Sequence, residues 1–217
     1  MDAPDRKQPE LVSPELGRHL LELRGISRCF QVRQGLFGKT RQLRAVADVS
    51  LDLEAGETLG LVGESGCGKS TLAKIAAGLL PPSAGEVRLA GASLYDADKP
   101  NRTGKSFVHM VFQDPFSSLN PRLTIGRSIR EPLDIAGDLS PVERRERMLE
   151  MLQLVGLLPE HADRYPHEFS GGQRQRAVVA RALINRPKLV ICDEPVSSLD
   201  ASVQAQALNL LKSLQER

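Results

Sequence analysis

Eight consecutive residues have the types and spacing needed to hold a chain of phosphates. The stretch reads Gly63-Glu64-Ser65-Gly66-Cys67-Gly68-Lys69-Ser70, which fits the phosphate-loop pattern of glycines, a lysine and a hydroxyl residue. Glycines let the backbone curl so that successive N–H groups point at one anion. In such loops the lysine reaches the outer phosphates and the hydroxyl binds Mg²⁺. The stretch therefore predicts a site for a nucleoside triphosphate.

The residues on either side of this loop predict the elements that position it. Thr58 to Val62 is a short apolar run typical of a buried strand, and Thr71 to Ala77 is typical of a helix. The order of strand, loop and helix places the phosphates at a helix N-terminus, where the helix dipole favours negative charge. The alternative is a glycine-rich turn that matches by accident, which is expected in about one chain of this length in a hundred.

Two carboxylates follow a second apolar run. Leu189 to Cys192 predicts a buried strand, and Asp193 and Glu194 come directly after it. Ligands of open α/β sheets bind at the carboxyl ends of the strands. We expect Asp193 to hold Mg²⁺ through water and Glu194 to orient the attacking water or accept its proton. Two acidic residues that merely cap a loop are the alternative.

Two further motifs point to the same chemistry. Gln113 ends an apolar run over 107–112, where its amide could ligate Mg²⁺ or sense the γ-phosphate. Phe169-Ser170-Gly171-Gly172-Gln173 opens a helix predicted over 171–185, which makes a second anion-binding N-terminus. Because one γ-phosphate needs only one cradle, the second suggests that another copy of the protein contributes it.

Composition sets wide bounds on the fold and its partners. The chain has 217 residues, 41% hydrophobic content and a net charge of +2, so it can bury a sizeable core and gives no global argument for nucleic acid. Cys29, Cys67 and Cys192 lack the paired spacing of a disulfide framework or a zinc site, which favours a reducing compartment. No apolar run approaches the ~18 residues of a membrane span, so a partner chain would have to supply any channel.

The remaining pattern predicts an antiparallel β region followed by helices. Residues 1–18 read as a polar tail and 34–44 as a basic hairpin loop. A first strand is expected over 20–26, and alternating strands over 49–54 and 86–90. Helices are expected over 124–136, after the capping box Ser140-Pro141-Val142-Glu143, and over 201–217 with Asp200 as N-cap.

Together these motifs resemble those of the ATP-binding subunit of an ATP-binding cassette (ABC) transporter. The matching stretches are Gly63 to Ser70 for the Walker A loop, Gln113 for the Q-loop, Phe169 to Gln173 for the signature, Leu189 to Asp193 for Walker B, Glu194 for the catalytic glutamate, and Ser197 to Asp200 for the D-loop. The resemblance begins near Leu20 and continues to the end of the chain. It implies an α/β P-loop NTPase core with an antiparallel β subdomain and an inserted helical lobe. The β subdomain and P-loop core would take 19–113, and the helical lobe 114–170. The signature helix, Walker B and the D-loop would take 171–217, with the final strands of the cassette missing.

The resemblance also implies an ATPase that uses ATP and Mg²⁺. Its catalytic residues would be Glu194, Lys69 and Gln113, and its metal ligands Ser70, Gln113 and Asp193. The nucleotide contacts would be Gly63, Glu64, Ser65, Gly66, Cys67, Gly68, Lys69, Ser70, Thr71, Phe30, Ser170, Gly171, Gly172, Gln173 and Asp200. Phe30 matches the aromatic that stacks on adenine, although a core residue is the alternative. Two cassettes pair head to tail in this family, so that the signature of one closes on ATP held by the other.

Three stretches resemble those of the ATP-binding subunits in importers of dipeptides, oligopeptides and nickel. They are residues 111–122, 164–167 and 196–200. The resemblance implies a second cassette, identical or not, integral membrane permease subunits and, indirectly, an extracytoplasmic solute-binding protein. It implies a peripheral location on the cytoplasmic face of the cell membrane, with no nucleic acid partner.

The sequence departs from the family pattern in two ways. Phe169 stands where leucine is usual, and no histidine follows the D-loop helix. Because that histidine is missing, we expect a C-terminally truncated cassette. The alternatives are a chain that binds ATP without turning it over, a DNA-associated ABC-type ATPase suggested by Arg174, Arg176 and Arg181, and a small-molecule kinase. A kinase explains neither the signature nor the D-loop.

Overall fold

The computed structural model describes residues 19–33, 40–96, 99–100, 108–111, 118–193, 209–210, 212–213 and 215. Four antiparallel strands form its largest sheet in the order β2-β1-β3-β4. They are β1 (Leu21–Arg33), β2 (Thr40–Leu53), β3 (Ala84–Leu89) and β4 (Ala92–Ser93). Two short strands, β5 (Tyr95–Asp96) and β6 (Lys99–Pro100), pair with each other.

The predicted strands of this region are confirmed. Val87 and Leu89 of β3 are buried while Glu86 and Arg88 are exposed, as the alternation requires. The expected basic loop over 34–44 is wrong at its end, because Thr40 to Arg44 belong to β2 and pair with Cys29 to Arg33. The remainder of that loop, 34–39, lies outside the described residues.

Helix α1 (Lys69–Ala76) follows the phosphate loop and packs on the sheet. Its Leu72 and Ile75 join Leu23 and Ile26 of β1 in one hydrophobic cluster. The helix ends at Ala76 with Ala77 as its C-cap, and Gly78 follows with φ +71°, a conformation that suits glycine after a helix. This cluster fixes the start of α1 against the sheet.

The buried strand predicted over 58–62 is wrong. The structure has no strand there, and Leu59 and Val62 are 45% and 98% exposed. The strands β7 (Val108–Val111) and β8 (Leu189–Cys192) form a parallel pair with each other. An apolar run becomes a buried strand only when neighbouring strands supply its hydrogen bonds, and within the described ranges no strand lies beside residues 58–62.

Three helices form a lobe with its own hydrophobic cluster. They are α2 (Ile125–Ala136), α3 (Pro141–Leu154) and α4 (Gly171–Leu183), and two 3₁₀ helices, Pro159–Asp163 and Pro166–Glu168, connect α3 to α4. The capping box predicted at Ser140 is confirmed, with Ser140 N donating to Glu143 Oε2 at 2.7 Å. The predicted α/β class, with an antiparallel β region and a helical lobe, is confirmed. Within the described part of the chain, no helix is both long enough and apolar enough to cross a bilayer.

Candidate functional site

The phosphate loop is open to solvent and leads directly into α1. Residues 63–67 are exposed, and Gly68 precedes the helix with φ +102°. A Cβ atom on Gly68 would lie 2.1 Å from the carbonyl oxygen of Ala45, so only glycine fits at this point. Gly68 is the N-cap residue of α1 and makes no side-chain hydrogen bond to the helix, which leaves the first N–H groups available to an anion.

Lys69 bridges the two ends of this loop. Its Nζ donates hydrogen bonds to the carbonyl oxygens of Gly63 and Glu64, each at 2.8 Å. The ammonium group is therefore held beside the loop backbone without a carboxylate partner among the residues described. A positive charge in this place favours a phosphate group that enters the loop.

Ser70 and Asp193 meet although they lie 123 positions apart in the sequence. The Ser70 hydroxyl donates to Asp193 Oδ1 at 2.8 Å, and the contact is partly buried. The backbone N–H of Asp193 donates to the carbonyl of Val111 at 2.9 Å, which fixes Asp193 at the carboxyl ends of β7 and β8. A hydroxyl and a carboxylate are oxygen ligands of the kind Mg²⁺ takes, usually one or two from protein with the rest from phosphate and water. The residues present fit this ion.

The thiol beside Asp193 does not belong to that ligand set. Burial raises the pKa of Cys192 to about 11, so its sulfur stays protonated at neutral pH. A protonated thiol is a poor ligand for a hard cation such as Mg²⁺.

The serine of the signature sequence caps α4. Ser170 N donates to Gln173 Oε1 at 3.0 Å, and Gln173 N donates to Ser170 Oγ at 3.3 Å. Before it, Phe169 is 4% exposed and packs edge-on against the His161 ring, with 5.3 Å between centroids. The larger aromatic residue is therefore accommodated within the lobe, and it anchors the start of α4.

The arginines that suggested DNA binding are used within the lobe. Arg174 donates to the carbonyl of Phe169 at 3.1 Å, and Arg176 to that of Val155 at 3.1 Å. Arg181 donates to the carbonyl of Ser118 at 2.8 Å and pairs with Glu131 at 2.6 Å. These contacts join α4 to its neighbours, so the arginines have a structural role that does not require DNA. The sequence pattern did not reveal the Arg181–Glu131 pair.

Phe30 lies on β1 and is half-buried, but neither hydrophobic cluster includes it. The guanidinium of Arg28 lies over its ring, 5.0 Å from the centroid. The two hydrophobic clusters of the described residues do not contain Phe30, and both its role at the nucleobase and its role in the core stay predictions.

The structure brings together Lys69, Ser70 and Asp193 around the start of α1. The hydrogen bonds recorded for Ser170 stay within the first turn of α4. Gln113, Glu194 and Asp200 lie outside the described residues, as do residues 197–199, so their predicted roles stay predictions.

One sequence profile and several known proteins are similar to this chain over most of its length. A sequence profile described as ABC transporter matches residues 46–197. The di/tripeptide transport ATP-binding protein of Pseudomonas aeruginosa (strain UCBPP-PA14) is 50% identical over 199 residues, covering 91% of this chain and 62% of that protein. The oligopeptide transport ATP-binding protein of Haemophilus influenzae (strain ATCC 51907 / DSM 11121 / KW20 / Rd) is 52% identical, with 91% and 61% covered. The chain thus spans about three fifths of the length of these relatives.

A solved structure resembles the chain as a whole. The ATP-binding cassette MJ0796, determined as a dimer in a post-hydrolysis state bound to ADP and Pi, superposes with a TM-score of 0.75 at 32% identity. The match covers 90% of this chain and 83% of that one.

Proposed function

This chain belongs to the ABC transporter family, and from that membership we propose that it is the ATP-binding and ATP-hydrolysing subunit of an importer. The importer would take up peptides, which the names of the relatives give as their cargo, or a related small solute. The observation that carries the proposal is the 2.8 Å contact between Ser70 and Asp193. It joins the hydroxyl of a phosphate loop to a carboxylate at a strand end, and ATP hydrolysis with Mg²⁺ requires both.

Each residue of the candidate site has a task in this reaction. The N–H groups of the loop and of the first turn of α1 bind the phosphates, and Lys69 adds a positive charge beside them. Ser70 and Asp193 would hold Mg²⁺, and the ion would offset negative charge on the phosphates. Glu194 would orient the attacking water and accept its proton, and Gln113 would complete the metal site.

The N-termini of α1 and α4, both suited to anions, support a dimer of cassettes. The structure resembles a cassette that was solved as a dimer, and we propose that the N-terminus of α4 closes on ATP held by α1 of a second cassette. Permease subunits would receive the resulting motion at the cytoplasmic face of the membrane, and a solute-binding protein would deliver the cargo.

The first experiment compares two lysines of α1. Lys69→Ala removes the ammonium beside the loop and should weaken ATP binding by about tenfold or more, since a hydrogen bond to a charged group contributes about 1.5–3 kcal/mol. Lys74→Ala is the control, because Lys74 is exposed in the same helix. Binding is measured by calorimetry with Mg·ATP. An equal loss in both variants, or no loss in either, would contradict the proposal.

A second experiment tests the dimer. Cysteines placed by Ser65→Cys and Ser170→Cys, in a chain whose three native cysteines are replaced, should crosslink between two copies only when ATP is added. Crosslinks confined to single chains would rule out the head-to-tail arrangement. Reconstitution with permease subunits in vesicles then tests whether a dipeptide or a longer peptide stimulates turnover.

A further inference from the structure

The hairpin of β1 and β2 extends past the sheet and forms a shelf beside the phosphate loop. Pairing of β1 with β3 ends at Ser27 and Ala84, whereas pairing with β2 continues to Arg33 and Thr40. Beyond Ser27 the hairpin therefore has two strands only within the described residues. Cross-strand partners share a face of such a hairpin, as do residues two apart on one strand.

One face of this hairpin connects the phosphate loop to Phe30. Arg28 pairs with Val46, and Phe30 pairs with Leu43. Val46 lies against the loop, because a methyl group added to Gly68 would lie 3.6 Å from Val46 Cγ2. The face then continues through Phe30 and Leu43, and Leu43 is 57% exposed. We call Arg28, Phe30 and Leu43 the Phe30 shelf.

A backbone carbonyl outside the hairpin holds Arg28 in place. It donates a hydrogen bond to the carbonyl of Pro81 at 2.8 Å, in the segment between α1 and β3. Its guanidinium covers Phe30 at 5.0 Å from the ring centroid. A cation over an aromatic face draws on the electron density of the ring, which makes the opposite face a better stacking surface for an electron-rich base.

We propose that Arg28 is a positioning residue that holds Phe30 as a stacking platform for the base of the bound nucleotide, with exposed Leu43 beside it. The inference rests on the proposed function, because it assigns a base to the nucleotide held by the phosphate loop. It adds that the orientation of Phe30 depends on Arg28, which is itself held by the carbonyl of Pro81. The shelf contributes to affinity for ATP but not to affinity for a phosphate chain alone.

The test measures dissociation constants for ATP and for inorganic tripolyphosphate with the full chain. Phe30→Leu should weaken ATP binding by about tenfold, within the range of base–aromatic stacking. Arg28→Met should weaken it by about two- to fivefold, as expected for a cation–π contact, and Arg28→Lys should restore part of the loss. Tripolyphosphate binding should not change in any of these variants.

Two comparisons separate this role from a structural one. In a Phe30→Leu background, Arg28→Met should have no further effect on ATP affinity, because Arg28 acts through the ring. Arg24→Met is the matched control on the same strand, since Arg24 makes exposed ion pairs with Glu22 and Asp52. It should leave both dissociation constants unchanged.

Two results would overturn the inference while leaving the proposed function intact. One is an equal loss of ATP and tripolyphosphate binding in Arg28→Met, and the other is an undiminished effect of Arg28→Met when Phe30 is absent. If the proposed function is wrong, the result is different, because the unmodified chain then binds neither ATP nor tripolyphosphate. The inference fails in that case too.

Discussion

The helices α1 and α4 both begin at glycine-rich sequences suited to anions, but their first turns are built differently. Gly68 precedes α1 with a positive φ and, as the N-cap residue, makes no side-chain hydrogen bond to the helix. Ser170 precedes α4 with an ordinary extended backbone, and its side chain and that of Gln173 form a reciprocal capping box. One helix start therefore leaves N–H groups open, while the other satisfies part of its own hydrogen bonding.

We propose that this difference distinguishes the helix start that holds the phosphates, the cradle, from the helix start that closes on them, the lid. An uncapped N-terminus behind a curled loop can surround several phosphate oxygens at once. A capped N-terminus is rigid without ligand and presents its dipole as a preformed surface. Helix α3 shows that the box alone does not define a site, because Ser140 and Glu143 form the same arrangement without a glycine pair after the cap. The assignment of α4 as a lid therefore depends on Gly171, Gly172 and a second cassette.

The largest predicted effect comes from a methyl group at the start of α1. Gly68→Ala places Cβ 2.1 Å from the Ala45 carbonyl, so the loop must move and ATP binding should fall by about a hundredfold or more, which corresponds to about 2.7 kcal/mol. Gly91→Ala is the control. Gly91 also has a positive φ of +80° but no atom within 4 Å of the added Cβ, so the change costs only the backbone strain of about 1–2 kcal/mol in stability.

Calorimetry with ATP and thermal unfolding check this pair of variants. Gly91→Ala should bind ATP like the unmodified chain while unfolding at a lower temperature. Unchanged ATP affinity in Gly68→Ala would show that the tight approach of β2 to the loop has no part in phosphate binding.

A smaller effect is expected from the two capping serines. Ser140→Ala and Ser170→Ala each remove one capping box and should lower the free energy of unfolding by about 1 kcal/mol. If α4 closes on ATP held by a partner, only Ser170→Ala should also reduce turnover at saturating ATP. The measurement is a denaturant titration and a steady-state rate for each variant. Equal rates in the two variants would make α4 a structural helix like α3.

The features that the sequence predicted correctly depend on local chemistry. The box at Ser140 is readable because its partners are three residues apart and its proline fits the first helical turn. The alternation of β3 is readable because side chains of a strand alternate between two faces. The position of Asp193 at the carboxyl end of β8 followed from the rule for ligands of open sheets, whereas its contact with Ser70 was implied only by the resemblance to the family.

What the sequence could not predict depends on distant partners. The run at 58–62 has the composition of a strand, but composition does not supply the neighbours that would pair with it. The contact of Gly68 with Ala45 and the stacking of Arg28 on Phe30 both depend on the β1–β2 register, which shifts between Arg28 and Cys29. A bulge of this kind re-aims side chains without a clear signal in a single sequence.

The smallest predicted effect comes from exchanging the third helical residues of the two capping boxes, Glu143 in α3 and Gln173 in α4. Hydrogen bonds from Ser140 lower the pKa of Glu143 below its ordinary value. The folded state thus gains stability that is present above the ordinary pKa and is lost as pH falls through the lowered one. Glu143→Gln should remove that acid-dependent loss, measured as the change in Tm between about pH 6 and about pH 3.5.

Gln173→Glu should bring the same acid dependence to α4, because the carboxylate would accept from the N–H of Ser170 as Glu143 accepts from Ser140. Near pH 7 the added negative charge would also face the triphosphate of the partner cassette and repel it. We therefore expect a more stable helix start with weaker ATP-dependent crosslinking between the cysteines of Ser65→Cys and Ser170→Cys. Crosslinking that strengthens with Gln173→Glu would mean that the start of α4 does not face the phosphates, and the distinction between cradle and lid would fail.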